Sequence, residues 1–318
     1  MTSKTKVIHF FRLDMYKIEN DAGGNSVQRH LKASEKQLYL DELVNSKLPE
    51  KKAIQVHKYN SSSGNNTATV EIVSIKDDYI FGKMGKEQDI NNFQLRKNET
   101  LVSSPISKGP DQFFEAFSYF LIDKKTCAVS YIMERSAPRI DYLGDLFTQI
   151  FKNTDQLWGS TVTIVSKNSL DKLAGKDIIG SISYDVTIPK GTHKEITKMS
   201  EDDYELLKNE KHTKVQVKLV AEKRKKSMFD SIESAKKFFV SLGGKTDRVS
   251  VKAKDEGESL FQEYRLFDDI MSKRTTFDYD TSATAKEFEE NIEHQIWVKY
   301  QQNKIEILEY VGFNENGE

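Results

Sequence analysis

A single cysteine among 318 residues, Cys127, rules out an internal disulfide and points to a reducing compartment. It sits in the apolar run CAVSYIM, where a thiol packs as inert core rather than serving as a nucleophile. No apolar run approaches the ~18 residues that span a bilayer. The N-terminal stretch MTSKTKVIHFFRLDMYK has early lysines but no apolar segment behind them, so a cytoplasmic protein without a secretion signal is expected. Histidine is also sparse. His9, His30, His57, His193, His212 and His294 lie far apart in sequence, and none pairs with another at metal-ligand spacing. GxSxG, HExxH and dinucleotide-binding fingerprints are all missing. The piece Gly82-Lys83-Met84-Gly85-Lys86 lacks the GxxxxGK[ST] spacing of a phosphate loop and reads as an ordinary basic loop. No cofactor, metal site or catalytic residue is expected.

What the chain does have is charge, at 31% of residues, and enough length for a full core and two domains. The pattern predicts an α+β fold: two domains with mixed or antiparallel sheets, packed helices and a long C-terminal helix. Residues 1–155 are expected to form an N-terminal α/β domain and 156–275 a basic α/β domain. Residues 276–318 should be a helix and tail that pack back on a domain or at a dimer interface. Strands are expected over 6–18 and 53–59, with a hairpin from Thr69 to Phe81. The aromatic cluster Phe113, Phe114, Phe117, Tyr119 and Phe120, with Cys127 to Met133, reads as two core strands around the turn Asp123-Lys124-Lys125. Helices are expected over 33–48, with Leu38, Leu40 and Leu43 on the apolar side, over 141–151, and from Ser200 to about Lys208. From Thr284 a helix runs to about Tyr310. Thr284 and Glu287 form its capping box, and Phe288, Ile292, Ile296, Tyr300 and Ile307 its apolar stripe.

Charge is unevenly spread. Between Lys211 and Lys254 thirteen Lys/Arg stand against four Asp/Glu, a local +9 in a chain whose total is −1. Two lysine-edged strands flank a short helix in this stretch. Val215, Val217 and Leu219 alternate with Lys214, Gln216 and Lys218; Val249, Val251 and Ala253 alternate with Arg248, Ser250, Lys252 and Lys254. Between them come the basic turn Lys223-Arg224-Lys225-Lys226, Ser227 as an N-cap with Asp230, and a helix that carries Lys236 and Lys237. If both strands join one sheet, their apolar faces cover the helix and their lysines share the open side. Lysines on one surface neutralise backbone phosphates and release counterions, which gives sequence-independent affinity for double-stranded DNA. The candidate DNA-binding residues are therefore Lys214, Lys218, Lys223, Arg224, Lys225, Lys226, Lys236, Lys237, Arg248, Lys252 and Lys254. Two rival readings stand beside this one. A Mg²⁺-dependent nuclease could use Asp268, Asp269, Asp278 and Asp280, although these read better as a solvated acidic loop. A protein–protein interaction module could turn the same lysine face to an acidic partner.

The segment Val249-Ser250-Val251-Lys252-Ala253-Lys254-Asp255-Glu256, followed by Glu263-Tyr264-Arg265-Leu266, resembles the RexA family of phage exclusion proteins. So do the Val215–Lys226 strand and turn, the strand Tyr184–Ile188 before Pro189-Lys190-Gly191, and the paired strands around Asp123-Lys124-Lys125. The similarity is collinear over most of the chain and closest over 249–256; this chain is longer in its N-terminal half, as in a distant relative. The resemblance implies a two-domain winged homodimer, similar to the RdgC DNA-binding architecture. It also implies non-specific DNA binding in abortive infection or superinfection exclusion, alongside a separately encoded membrane-protein partner. The family's DNA-contacting basic residues correspond to Lys252 and Lys254.

Overall fold

The computed structural model describes residues 2–20, 26–48, 53–58, 67–89, 93–97, 99–164, 171, 173–187, 214–223, 226–242, 249–258, 260–265, 271–279 and 283–311. A long first strand, β1 (Thr2–Asn20), leads to β2 (Ser26–His30) and helix α1 (Ala33–Glu42), which runs into a π turn over Leu43–Lys47. Strands β3 (Ala53–His57), β4 (Thr67–Ile75) and β5 (Tyr79–Gln88) follow, then the short ribbon β6 (Gln94–Arg96) and β7 (Ser103–Pro105). Next come β8 (Phe114–Asp123), β9 (Ala128–Ile132), helix α2 (Asp141–Asp155) and β10 (Leu157–Thr163). The remainder holds β11 (Ile178–Thr187), β12 (Lys214–Val220), helix α3 (Ile232–Leu242), β13 (Val249–Lys254), β14 (Gln262–Arg265), β15 (Ser272–Tyr279) and the long helix α4 (Ala285–Val311). Helices packed on antiparallel sheets make this an α+β protein.

The larger sheet has nine strands, in the order β10-β1-β9-β8-β5-β4-β3, with β2 and β15 also paired to β1. Both faces are covered, which explains why its central strands are continuously apolar rather than alternating. In β8, Phe120 and Ile122 point into the core beneath α1 and α2. Tyr119 and Leu121 point the other way, to Ile292, Ile296, Tyr300 and Ile307 of α4. The α4 stripe is thus buried within its own chain. Its N-terminus carries the expected capping box: the Glu287 N–H donates to Thr284 Oγ1, and the Thr284 N–H to Glu287 Oε2. Glu293, also buried on α4, accepts from Ser74 and Tyr79. At the β3 edge, Gln149 of α2 bonds the His57 N–H and the Gln55 carbonyl, which blocks further strand pairing there.

Several sequence expectations meet a different arrangement. Phe113 and Phe117 are exposed, so the aromatic run is core only from Tyr119 onward. Leu38 is 70% exposed, because α1 turns Lys36 inward instead. There Lys36 Nζ lies 2.6 Å and His30 Nδ1 2.7 Å from the carboxylate of Asp14. Burial alone would raise the Asp14 pKa, but the His30 bond, the charges of Lys36 and Arg12 and the Lys36 bond together hold it well below the ordinary carboxylate range. Gly82 to Lys86 lie in β5, not in a loop, with Gly82 flat against Phe120. Cys127 is buried at φ 56, and burial pushes its thiol pKa up to about 12, as suits an inert core residue.

The sheets also divide the chain differently from the expected segments. β10 and β15 both pair with β1, so the larger sheet takes residues from either side of the smaller one. The smaller sheet, β12-β11-β13-β14, arises from the chain between them. At the point of departure and return, the Met271 N–H bonds the Ile164 carbonyl at 2.7 Å, and the Phe10 N–H bonds the Met271 carbonyl at 3.0 Å. The expected helix from Ser200 to about Lys208 lies outside the described residues.

Candidate nucleic-acid interface

The smaller sheet is built around β11, with β12 on one side and β13 then β14 on the other. Helix α3 covers one face. Its Ala235, Phe239 and Leu242 pack on Ile179 and Ile182 of β11 and on Val249, Val251 and Ala253 of β13. The helix starts later than the sequence suggests: the Ser234 N–H donates to Ser231 Oγ at 3.1 Å, so the cap is Ser231. Ser227 is engaged elsewhere, accepting the Ile179 N–H at 3.2 Å.

Among the described residues no helix covers the opposite face, and the register states what stands on it. Lys252 and Val220 flank Ser181, Lys218 and Ser250 flank Ser183, and Glu263 faces Lys252 from β14. Lys218 and Lys252 are exposed, and neither has a carboxylate partner among the described residues. They lie two strands and two residues apart, which places their Cα atoms about 12 Å from each other at ordinary sheet spacing. Val251 and Ala253 are fully buried behind them, so the strand that carries Lys252 is held rigidly. The face is not purely basic. Glu263 accepts from Ser250 Oγ at 2.7 Å, and Asp185 accepts from Gln216 at 3.5 Å.

The basic turn is strapped to the same sheet. The Ala221 N–H bonds the Gly180 carbonyl at 2.8 Å and the Met228 N–H the Ile179 carbonyl at 3.0 Å. Lys223 and Lys226 are thereby carried, exposed, to the end of β11 nearest Lys252 and Lys254. β11 bulges at this end, between Ile179 and Ser181. A side chain on Gly180 would strike the Phe261 ring at 2.6 Å, so glycine is what lets that ring lie across the sheet. Sequence reasoning did not nominate Phe261. The signal was its place two residues before Glu263, directly ahead of β14.

Lys254 does not match Lys252 as expected. Its ammonium donates to the Glu258 carbonyl at 2.7 Å and stands 5.2 Å from the centre of the Phe261 ring, so it is half-buried and already engaged. Beside it, Lys176 bonds Asp255 at 2.5 Å, which raises the lysine's pKa and pins the turn after β13. The helix lysines also leave the face. Lys236 is paired with Asp171 at 2.5 Å, and Lys237 lies on the side of α3 turned away from the sheet. Lys214 opens β12 at its far end, opposite Thr187. Arg224, Lys225 and Arg248 lie outside the described residues. Of the nominated residues, Lys218 and Lys252 stand exposed on one face of the sheet, and Lys223 and Lys226 are exposed in the turn at one end of it.

The acidic positions considered for a nuclease do not form a described loop. Asp278 belongs to β15, opposite Ser3, while Asp268, Asp269 and Asp280 lie outside the described residues. Among the described residues no group of His, Cys, Asp or Glu is arranged to hold a metal ion, and no helix is long and apolar enough to cross a membrane. No protein-family model matches the chain, and no curated protein matches it significantly.

Proposed function

We propose that this chain is a non-enzymatic, sequence-independent double-stranded DNA-binding protein that acts in the cytoplasm, as a homodimer, in phage exclusion or a related antiviral defence. The observation that carries the DNA reading is the set of exposed cations on the smaller sheet, Lys218 and Lys252 on one face and Lys223 and Lys226 in the turn at its end, none with a carboxylate partner among the described residues. Such a face suits phosphates and no particular base sequence. The helix beside it, α3, has its apolar side committed to the core. The assignment to exclusion, to a homodimer and to a separately encoded membrane partner rests on the likeness of residues 249–256 to the RexA family.

The deciding experiment is a gel-shift titration of random duplex DNA across a range of salt, with wild type and Lys218→Ala/Lys252→Ala. With about four phosphates neutralised, log K should fall against log salt with a slope of about −3.6. A flat salt response, or tight preference for one sequence, overturns the proposal. Sedimentation that finds only the 36.6 kDa species at micromolar concentration removes the homodimer and leaves the DNA reading intact.

A further inference from the structure

Strand β15 is an edge of the larger sheet. Among the described residues it pairs with β1 alone, and its sequence, SKRTTFDY, has a cationic end and an acidic one. The Phe10 N–H bonds the Met271 carbonyl, which fixes the phase of the ladder. In an antiparallel pair, bonded positions recur at every second residue. Lys273, Thr275 and Phe277 therefore turn their backbone groups to β1, and Arg274, Thr276 and Asp278 turn theirs outward. No described backbone group receives the outward set. The edge is also open to approach. Arg274, Thr275 and Thr276 all line a shallow depression beside α4, although successive side chains point to opposite faces, so what borders it is the edge of the strand.

Two other edges disfavour self-pairing. Gln149 caps β3, and β12 holds Lys214 and Lys218 with no acid, so two copies would set lysine against lysine. β15 differs. A two-fold axis normal to the sheet through Thr276 gives an antiparallel copy that shows the same face. Each outward position then meets an outward position: Thr276 meets Thr276, and the position of Arg274 meets that of Asp278, twice by symmetry. A one-residue slip would set outward backbone groups against inward ones and lose the bonds. We propose that β15 pairs with β15 of a second copy in this register, joining two nine-stranded sheets into one. This gives the proposed homodimer its contact and rests on that reading. Pairing over residues 273–279 alone falls short of the ~800 Å² per partner of a standard interface, so the dimer should dissociate in the micromolar range.

Thr276→Cys tests the contact directly. The axis sets the introduced thiol against its own copy, at the Cα separation of about 5.5 Å that a disulfide spans, and the buried Cys127 does not compete. Mild oxidation should give a covalent dimer on non-reducing gels, and Thr275→Cys should give far less. In sedimentation at about 50 μM, Arg274→Glu should weaken the dimer about tenfold, and Arg274→Glu/Asp278→Lys should restore it. Arg274 is exposed, so Arg274→Glu should melt with wild type. Only the 36.6 kDa species in wild type overturns this contact and the homodimer reading together. A dimer that is not weakened by Arg274→Glu, is not restored by the second change, or gives no Thr276→Cys crosslink overturns the contact alone.

Discussion

The two sheets treat positive charge in opposite ways. Around the larger one, Lys36 is buried on Asp14, Lys83 lies between Glu71 and Glu289, and Lys304 reaches the buried Asp123. On the smaller one, Lys218 and Lys252 face outward without a carboxylate partner. The residue type is the same; the covering differs. Helices lie on both faces of the larger sheet, and a lysine drawn between layers needs a counter-charge because an unpaired buried ion is expensive. Among the described residues, the smaller sheet has a helix on one face only. Its outward lysines, Lys218 and Lys252, keep their hydration and need no counter-charge.

The comparison can be broken at its buried end first. Lys36→Ala removes the ammonium paired with buried Asp14, and denaturant melts should show a loss of about 3–5 kcal/mol. The same network has an acid signature. Because the folded-state pKa of Asp14 is depressed, its contribution is present above the ordinary aspartate value and lost as pH falls through the folded value. Stability of Asp14→Asn should therefore vary less with pH on the acid limb than that of wild type. A smaller loss, about 2 kcal/mol, is expected for Lys304→Ala, since Asp123 keeps the Thr126 N–H as a partner. Glu115 runs the other way. Burial raises its pKa, a Thr69 bond opposes that and Glu71 adds to it, so the ionised form is disfavoured in the fold. The penalty is absent below the ordinary glutamate value and complete above the raised one. Glu115→Gln should thus stabilise at neutral pH, by less than about 1 kcal/mol once solvent screening is allowed for. Smallest of all for the fold is Lys218→Ala/Lys252→Ala, within about 0.5 kcal/mol. That pair should nonetheless reduce the salt slope of DNA binding by about two units, whereas Lys86→Ala/Lys97→Ala, away from the face, should leave it nearly unchanged.

Alternation revealed the parts of the fold whose two sides differ. β13 is legible because Val251 and Ala253 are buried while Lys252 is exposed, and α4 because its cap and stripe are both local. β15 was not legible. Ser272 to Tyr279 is a polar edge strand, and what makes it a strand is pairing with β1, far away in sequence. The N-cap of α3 was misplaced for a related reason. Ser227 and Ser231 are both plausible caps locally, and the Ile179 N–H, a tertiary partner, takes the first. At the candidate site, spacing put Lys254 on a strand face correctly. It could not foresee that the following turn would bring the Glu258 carbonyl and Phe261 ring to its ammonium.

The hydrogen bond between Met271 and Ile164 has a bearing on how the protein is made. A chain synthesised from its N-terminus has β10 in hand early, but β1 keeps a vacant edge until the whole lysine-bearing sheet has been produced. The larger core therefore closes only when β15 and α4 arrive. The geometry also makes the smaller sheet severable. Its entry and exit are a single hydrogen bond apart, so a few glycines could bridge residue 164 to residue 271 and leave the nine-stranded sheet able to close without it.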